Sequence, residues 1–176
     1  MNRTALYIIK LMQKTRRGLA LLFASALAIP ALAGYAPQSV KESFETLYPN
    51  IEIEKVIWSN EDEGYFIAKF LYDGFATKAW FNEEAQCIMV QTDIETMDRV
   101  TDDVYNAFAA GDFGNYTVRD VTYVVFPHWQ PMYVILIGEP NLEESYQLFY
   151  TPFGELINHR STAGIEEPLG LETFFK

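Results

Sequence analysis

Apolar residues alternate between two periods along this chain. Val40, Phe44, Leu47 and Tyr48 recur at helical spacing, and Pro49 ends the pattern, which predicts a short amphipathic helix. Its start has two readings: a capping box of Ser39 with Glu42, or Pro37 at the first helical position. Ile51 to Trp58 reads as a strand whose apolar parity switches near Glu54-Lys55, so a bulge is expected there. After the polar loop Ser59 to Gly64, Tyr65–Tyr72 and Phe75–Phe81 read as strands joined by Asp73-Gly74. That pair is the strongest hairpin signal in the chain, because a type I′ turn needs positive φ at both central residues. Both parities of Tyr65–Tyr72 are largely apolar, so this strand is covered on both faces or displays aromatics on one. Asn82 to Ala85 is a turn and Gln86 to Val90 the strand leaving it.

Helical spacing resumes at Met97, Val100, Val104, Ala107 and Phe108 and ends near Gly111, with the start at either Met97 or Thr101. Strands then follow at Tyr116–Phe126, Met132–Gly138, Ser145–Tyr150 and Glu155–Asn158, separated by the loop Phe126–Pro131 and the turns Glu139–Glu143 and Thr151–Gly154. The second series repeats the first. Val40 and Phe44 answer Val104 and Phe108 at an offset of 64, and Lys78 to Asn82 answer Gln147 to Thr151 at an offset of 69. The expected fold is therefore α+β, with two tandem repeats of a helix plus about four antiparallel strands. Neither helix can bury its apolar face alone, so both should pack on one face of the sheet. Residues 34–95 form the first repeat, 96–160 the second, and 161–176 a tail with a small apolar cluster of Leu169, Leu171, Phe174 and Phe175.

The first 33 residues stand apart. Met1 to Arg17 holds five basic residues and no acid, Gly18 to Pro30 is apolar, and Ala31-Leu32-Ala33 supplies small residues for cleavage. The apolar run is shorter than the roughly 20 residues of a spanning helix, so a cleaved export signal is expected, with a periplasmic or extracellular destination and no stable membrane insertion afterwards. Gly18-Leu19 after Arg16-Arg17 does not suit a twin-arginine signal, and the sole cysteine, Cys87, lies too far away for lipidation. That single cysteine also excludes an intramolecular disulfide. Beyond position 33 the chain has eight basic residues against 24 acidic ones, a net charge of about −16. Nucleic acid is a poor partner for such a surface. The charge serves solubility, or it suits a basic protein surface or a cationic ligand.

The Tyr48-Pro49 step after a helix, a strand ending in Trp58, a strand opening at Gly64-Tyr65, the Asp73-Gly74 hairpin and the closing Phe81-Asn82 together resemble the exported PepSY-like family, related in fold to β-lactamase-inhibitor proteins. The resemblance spans about Val40 to Asn158, although the second copy lacks the Tyr-Pro step, the Trp and the Asp-Gly turn. It implies two helix-plus-four-strand units in one curved sheet, with a binding or inhibitory role and no catalysis. It carries no residue motif from which a site can be transferred.

No catalytic set is expected. His128 and His159 are the only histidines, no Gly-x-Ser-x-Gly elbow accompanies them, and Cys87 has no local basic residue to activate it. An enzyme would need His128 to converge with an acid. No metal or cofactor is expected either: Asp93, Glu95, Asp98, Asp102 and Asp103 lack the EF-loop pattern and suit a helix start. The candidate partner-binding residues are Phe126, His128, Trp129 and Tyr133, which gather in and beside one loop, where large aromatics anchor interfaces or else fill the core between helices and sheet. Tyr65, Tyr72 and Trp80 would extend that surface. The leading expectation is an exported, non-enzymatic binding or inhibitor-like module that grips a protein or peptide on an aromatic sheet face rimmed by acid. The alternative is a small-molecule sensor or carrier, with an apolar pocket lined by Phe66, Phe70 and Trp80 between sheet and helices.

Overall fold

Pro37 sets the first helix. Its carbonyl accepts the N–H groups of Val40 and Lys41, both at 3.1 Å, and α1 runs Gln38–Leu47. Proline occupies the cap itself, so Ser39 lies inside the helix and neither expected start forms. At the other end the Tyr48 N–H closes on the Phe44 carbonyl at 2.8 Å, and Pro49 has no N–H to continue the ladder. This computed structural model describes residues 35–60, 64–138, 145–162 and 173–174. The leader, the acidic cluster at 61–63, the turn at 139–143 and most of the tail lie outside them.

The sheet has eight antiparallel strands in chain order: β1 (Ile57–Ser59), β2 (Phe66–Tyr72), β3 (Phe75–Phe81), β4 (Cys87–Asp93), β5 (Thr117–Val125), β6 (Met132–Gly138), β7 (Ser145–Tyr150) and β8 (Leu156–Ser161). Helix α2, Asp102–Ala110, interrupts the chain between β4 and β5 without interrupting the sheet, since Val90 to Asp93 pair with Val125 to Thr122. The expected strand Ile51–Trp58 is mostly something else. Ile53–Lys55 is a 3-10 turn, with Val56 N–H on the Ile53 carbonyl at 3.1 Å, and only Ile57–Ser59 pairs. The parity switch at Glu54-Lys55 was this turn rather than a bulge. Met97–Arg99 is likewise a separate 3-10 turn, and α2 begins at Thr101, whose Oγ1 accepts the Val104 N–H at 3.3 Å. Asp102 and Asp103 then sit at the positive end of its dipole.

Two turns carry one design. After β3, Asn82 N–H bonds the Gln86 carbonyl at 3.0 Å, Ala85 N–H bonds the Asn82 carbonyl at 3.0 Å, and Asn82 Oδ1 accepts the Gln86 N–H at 2.8 Å. After β7, Thr151 N–H bonds the Glu155 carbonyl at 2.9 Å, Gly154 N–H bonds the Thr151 carbonyl at 3.0 Å, and Thr151 Oγ1 accepts the Glu155 N–H at 3.2 Å. Ala85 and Gly154 share a left-handed backbone, φ 60° and 82°. A register shift precedes each turn, at Trp80/Phe81 and at Phe149/Tyr150. The Asp73-Gly74 hairpin has positive φ at both residues, 50° and 89°, as the sequence predicts.

Both helices pack on one face. Val40 and Phe44 of α1 and Val104 and Phe108 of α2 share a single core with Ala68, Phe70, Phe81, Val121, Tyr123, Ile135 and Leu148. Phe44, wholly buried, is the hub of its aromatic part, with ring centroids at 4.9 Å from Phe70, 5.1 Å from Tyr48 and 5.7 Å from Trp58. Burying such a ring contributes about 2–3 kcal/mol. Because strand side chains alternate, this core consumes one parity of every central strand and sends the other parity to the opposite face.

Candidate functional site

The face away from the helices carries its own apolar cluster. Ile67 of β2, Trp80 of β3, Met89 of β4, Val124 of β5, Val134 of β6 and Phe149 of β7, with Phe126 just beyond β5, pack together and are all buried. This explains the doubly apolar pattern of β2: Phe66, Ala68 and Phe70 belong to the helix side, and Ile67 to this one.

Polar residues of the same parity give this face a charge opposite to that of the whole chain. The Asp73-Gly74 hairpin sets Lys69 opposite Lys78, and both share the parity of Ile67 and Trp80. Arg119 arrives here through the β-bulge between Val118 and Asp120. Its Nη1 donates to Ser145 Oγ at 2.9 Å, and its guanidinium lies against Gly138, where any Cβ would collide with it. Arg160 pairs in register with Gln147. Four of the eight basic residues beyond position 33 therefore project from this face, against Asp93 and Asp120 among its described strand residues. Asp93 has its carboxyl pushed above the ordinary carboxylate range, first by burial and then by the charge of Asp120. The acid rim expected from composition is thus not what the strands present here.

The C-terminal residues Thr173 and Phe174 sit on this face. The Phe174 ring packs edge-on against Phe126 at 5.3 Å and against Phe149 at 6.2 Å. Arg160 organises the contact: Nε donates to Gln147 Oε1 at 2.7 Å, Nη2 donates to Thr173 Oγ1 at 2.8 Å, and the guanidinium carbon stands 5.9 Å from the Phe149 centroid. Gln147 itself is 1% exposed, so the guanidinium is fixed from below.

The four candidate residues do not form one surface. Phe126 lies in the apolar cluster and its ring is 5.3 Å from that of Trp129, which is 56% exposed at the border of the face. His128 is exposed beside it. Tyr133, one parity away, points to the helix side, where it is 1% exposed, packs on Tyr123 at 4.9 Å, and has its hydroxyl pKa pushed up to about 12 by burial. It is a core residue. Phe66 and Phe70 are likewise separated from Trp80 by the sheet itself, so they cannot line one pocket. An open groove of about 420 Å³ beside α1 is lined by Gln38, Lys41, Glu45, Ile53, Glu54, Val56 and Trp58, mostly charged or polar.

Sequence reasoning passed over Lys69, Lys78, Gln147, Phe149 and Arg160 as site residues, and named Phe174 only as part of the tail's apolar cluster. The first two were accessible, since the turn dipeptide fixes their register and Lys78 lies two residues from Trp80. Burial pushes the Cys87 thiol up to about 12, which keeps it protonated. Among the described residues no three His, Cys, Asp or Glu side chains group as metal ligands, and no helix is long and apolar enough to cross a membrane.

No protein-family model matches the chain, and no curated protein matches it. Solved structures do. A DUF2874 family protein from Bacteroides uniformis is 44% identical, with a TM-score of 0.75, over 80% of this chain and 99% of its own. Another from Bacteroides ovatus is 41% identical, with a TM-score of 0.76, over 81% and 99%. A protein from Bacteroides eggerthii, described as periplasmic, is 41% identical, with a TM-score of 0.74, over 80% and 99%. A BLIP-like protein from Bacteroides fragilis, 21% identical with a TM-score of 0.70 over 78% and 95%, has the same fold. The expected likeness to β-lactamase-inhibitor proteins holds at the level of fold. The protein is exported, periplasmic or extracellular, in agreement with the relative described as periplasmic. With 44% identity across nearly the whole of a solved relative, the chain belongs to the DUF2874 family.

Proposed function

We propose that this protein is a non-enzymatic, inhibitor-like binding module that engages a protein or peptide through the sheet face opposite the helices. One observation carries the reading: a buried aromatic and apolar cluster occupies the face that neither helix covers, and Trp129 stands exposed at its border. Aromatic side chains fixed on a sheet lose little conformational freedom when a partner packs on them, which favours binding. The absence of catalysis is part of the proposal and is supported by the inert character of Cys87. The two matching turns and register shifts support tandem repeats at 34–95 and 96–160, with a PepSY-like kinship behind them and a signal peptide at 1–33 removed on export.

The test is affinity capture from envelope extract with the wild-type chain, Trp129→Ala, Lys78→Glu and, as a control on α2, Tyr105→Ala. All three positions are exposed, so the fold should survive. A partner retained by wild type and Tyr105→Ala and lost in the two face variants supports the reading. Identical capture by all four chains refutes it.

A further inference from the structure

The apolar cluster of this sheet face is buried, and the face already holds a ligand-like pair, Thr173 and Phe174. We infer that the chain's own Thr173-Phe174 pair is the resident occupant of this face, and that the external partner is an acidic peptide carrying a hydroxyl residue followed by an aromatic, which displaces that pair. The inference rests on the binding reading given above and names the chemistry of its partner.

Three observations converge. Phe174 is received by two aromatic rings at once, Phe126 at 5.3 Å and Phe149 at 6.2 Å, both in the edge-on geometry that packed aromatics adopt. Its neighbour Thr173 is received by a guanidinium that is already oriented. Arg160 is tied to the buried Gln147 at 2.7 Å and lies over Phe149, so little freedom is lost when its Nη2 donates to the Thr173 hydroxyl at 2.8 Å. The charges also complement. Lys69, Lys78, Arg119 and Arg160 project from the face, whereas the sequence from Gly164 to Lys176 holds Glu166, Glu167 and Glu172 against the single basic residue Lys176.

The tail is also tethered beside its seat. Thr162, at the end of β8, is held to the Ser145 carbonyl by its N–H at 2.9 Å and its Oγ1 at 3.1 Å, and Thr173 lies eleven residues further on. A short tether holds its end at an effective concentration on the order of 1 mM. Among the described residues the seat takes one ring and one hydroxyl, and the tether keeps it occupied. A free peptide with the same pair of groups, better flanked by acids, competes for the same arginine and the same two rings.

The probe is a fluorescent peptide reproducing residues 165–176, titrated against the full chain by anisotropy. For a segment with a Kd of about 100 µM, a tethered competitor at about 1 mM weakens apparent binding roughly tenfold. The Phe174→Ala chain should therefore bind the peptide about tenfold more tightly than wild type. A Thr173→Val chain, which alters only a half-buried hydroxyl, should fall between them and serves if Phe174→Ala folds poorly. A peptide carrying Phe174→Ala should not bind any of the chains. Equal binding by wild type and both variants, or none, overturns the inference. In envelope capture, a Trp129-dependent partner that is no more abundant on the Phe174→Ala chain overturns the inference and leaves the binding reading intact. Loss of Trp129 dependence in both chains removes the binding reading itself.

Discussion

Gly154→Ala should destabilise the protein by about 2–4 kcal/mol, and the equivalent turn after β3 supplies its internal control. Gly154 has φ 82°, a left-handed conformation that costs a residue with a Cβ about 1–2 kcal/mol, partly offset by about 0.4–1 kcal/mol from a stiffer unfolded chain. Ala85, with φ 60° at the matching position, shows that the turn itself accepts alanine. What differs is the ground beneath. A Cβ at 154 would lie 2.5 Å from the Asp103 carbonyl oxygen and 3.2 Å from Ala107 Cβ, both on α2. Backbone cannot swing aside as a side chain can, so the turn has to lift from α2, and overpacking of this kind costs about 1–3 kcal/mol. Lifting also strains the 2.7 Å bond from Thr101 Oγ1 to the Pro152 carbonyl, the residue that caps α2. Urea unfolding reads the loss directly as a lower midpoint at unchanged slope. In a thermal scan, at about 3 °C per kcal/mol for a chain of this size, Tm should fall by about 6–12 °C. Ala85→Gly should change stability by less than about 1 kcal/mol. A loss below about 1 kcal/mol at Gly154 would refute the claim that the turn bears on the helix.

Tyr133→Ala should cost about 3–5 kcal/mol in urea unfolding, because the ring is buried on the helix side, while Tyr133→Phe should leave partner capture unchanged. Cys87, half-buried with its thiol raised by burial, should react with a disulfide reagent at pH 8 more slowly than an ordinary thiol, and unfolding should restore the ordinary rate. Because burial raises its folded pKa to about 12, the folded state holds that proton more tightly, so this thiol's contribution to stability is present below about pH 8.5 and is lost as pH rises towards 12; Cys87→Ala should flatten that slope. Asp93 has its carboxyl raised by burial and by Asp120, so its stabilising contribution is present below the ordinary carboxylate range near pH 4 and lost as pH rises through the raised value. Asp93→Asn, which keeps the oxygen that accepts the Glu95 N–H at 2.9 Å, should therefore be more stable than wild type at pH 7 and equal to it at pH 3. Equal stability at both pH values would contradict the pairing.

The amino-acid sequence by itself determined the order of elements, because each rests on neighbours in the chain. Asp73-Gly74 dictated a hairpin through its backbone preference, Val40/Phe44 and Val104/Phe108 dictated two helices through their spacing, and Asn82–Ala85 and Thr151–Gly154 announced matching turns. Local ambiguity produced the error near Glu54 and left the second helix start open between Met97 and Thr101, because a 3-10 turn and a strand or helix start share the same few apolar residues. Only the tertiary structure decided which face each aromatic served. Phe126 and Tyr133 are seven residues apart and looked like one loop cluster, yet strand parity sends one to each side of the sheet. It also decided the sign of charge at the site, since net charge sums the whole surface whereas pairing gathers Lys69, Lys78, Arg119 and Arg160 from four separate strands onto one face. The seat of Phe174 likewise depended on folding: Phe126, Phe149 and Arg160 meet only when the strands that carry them are laid side by side.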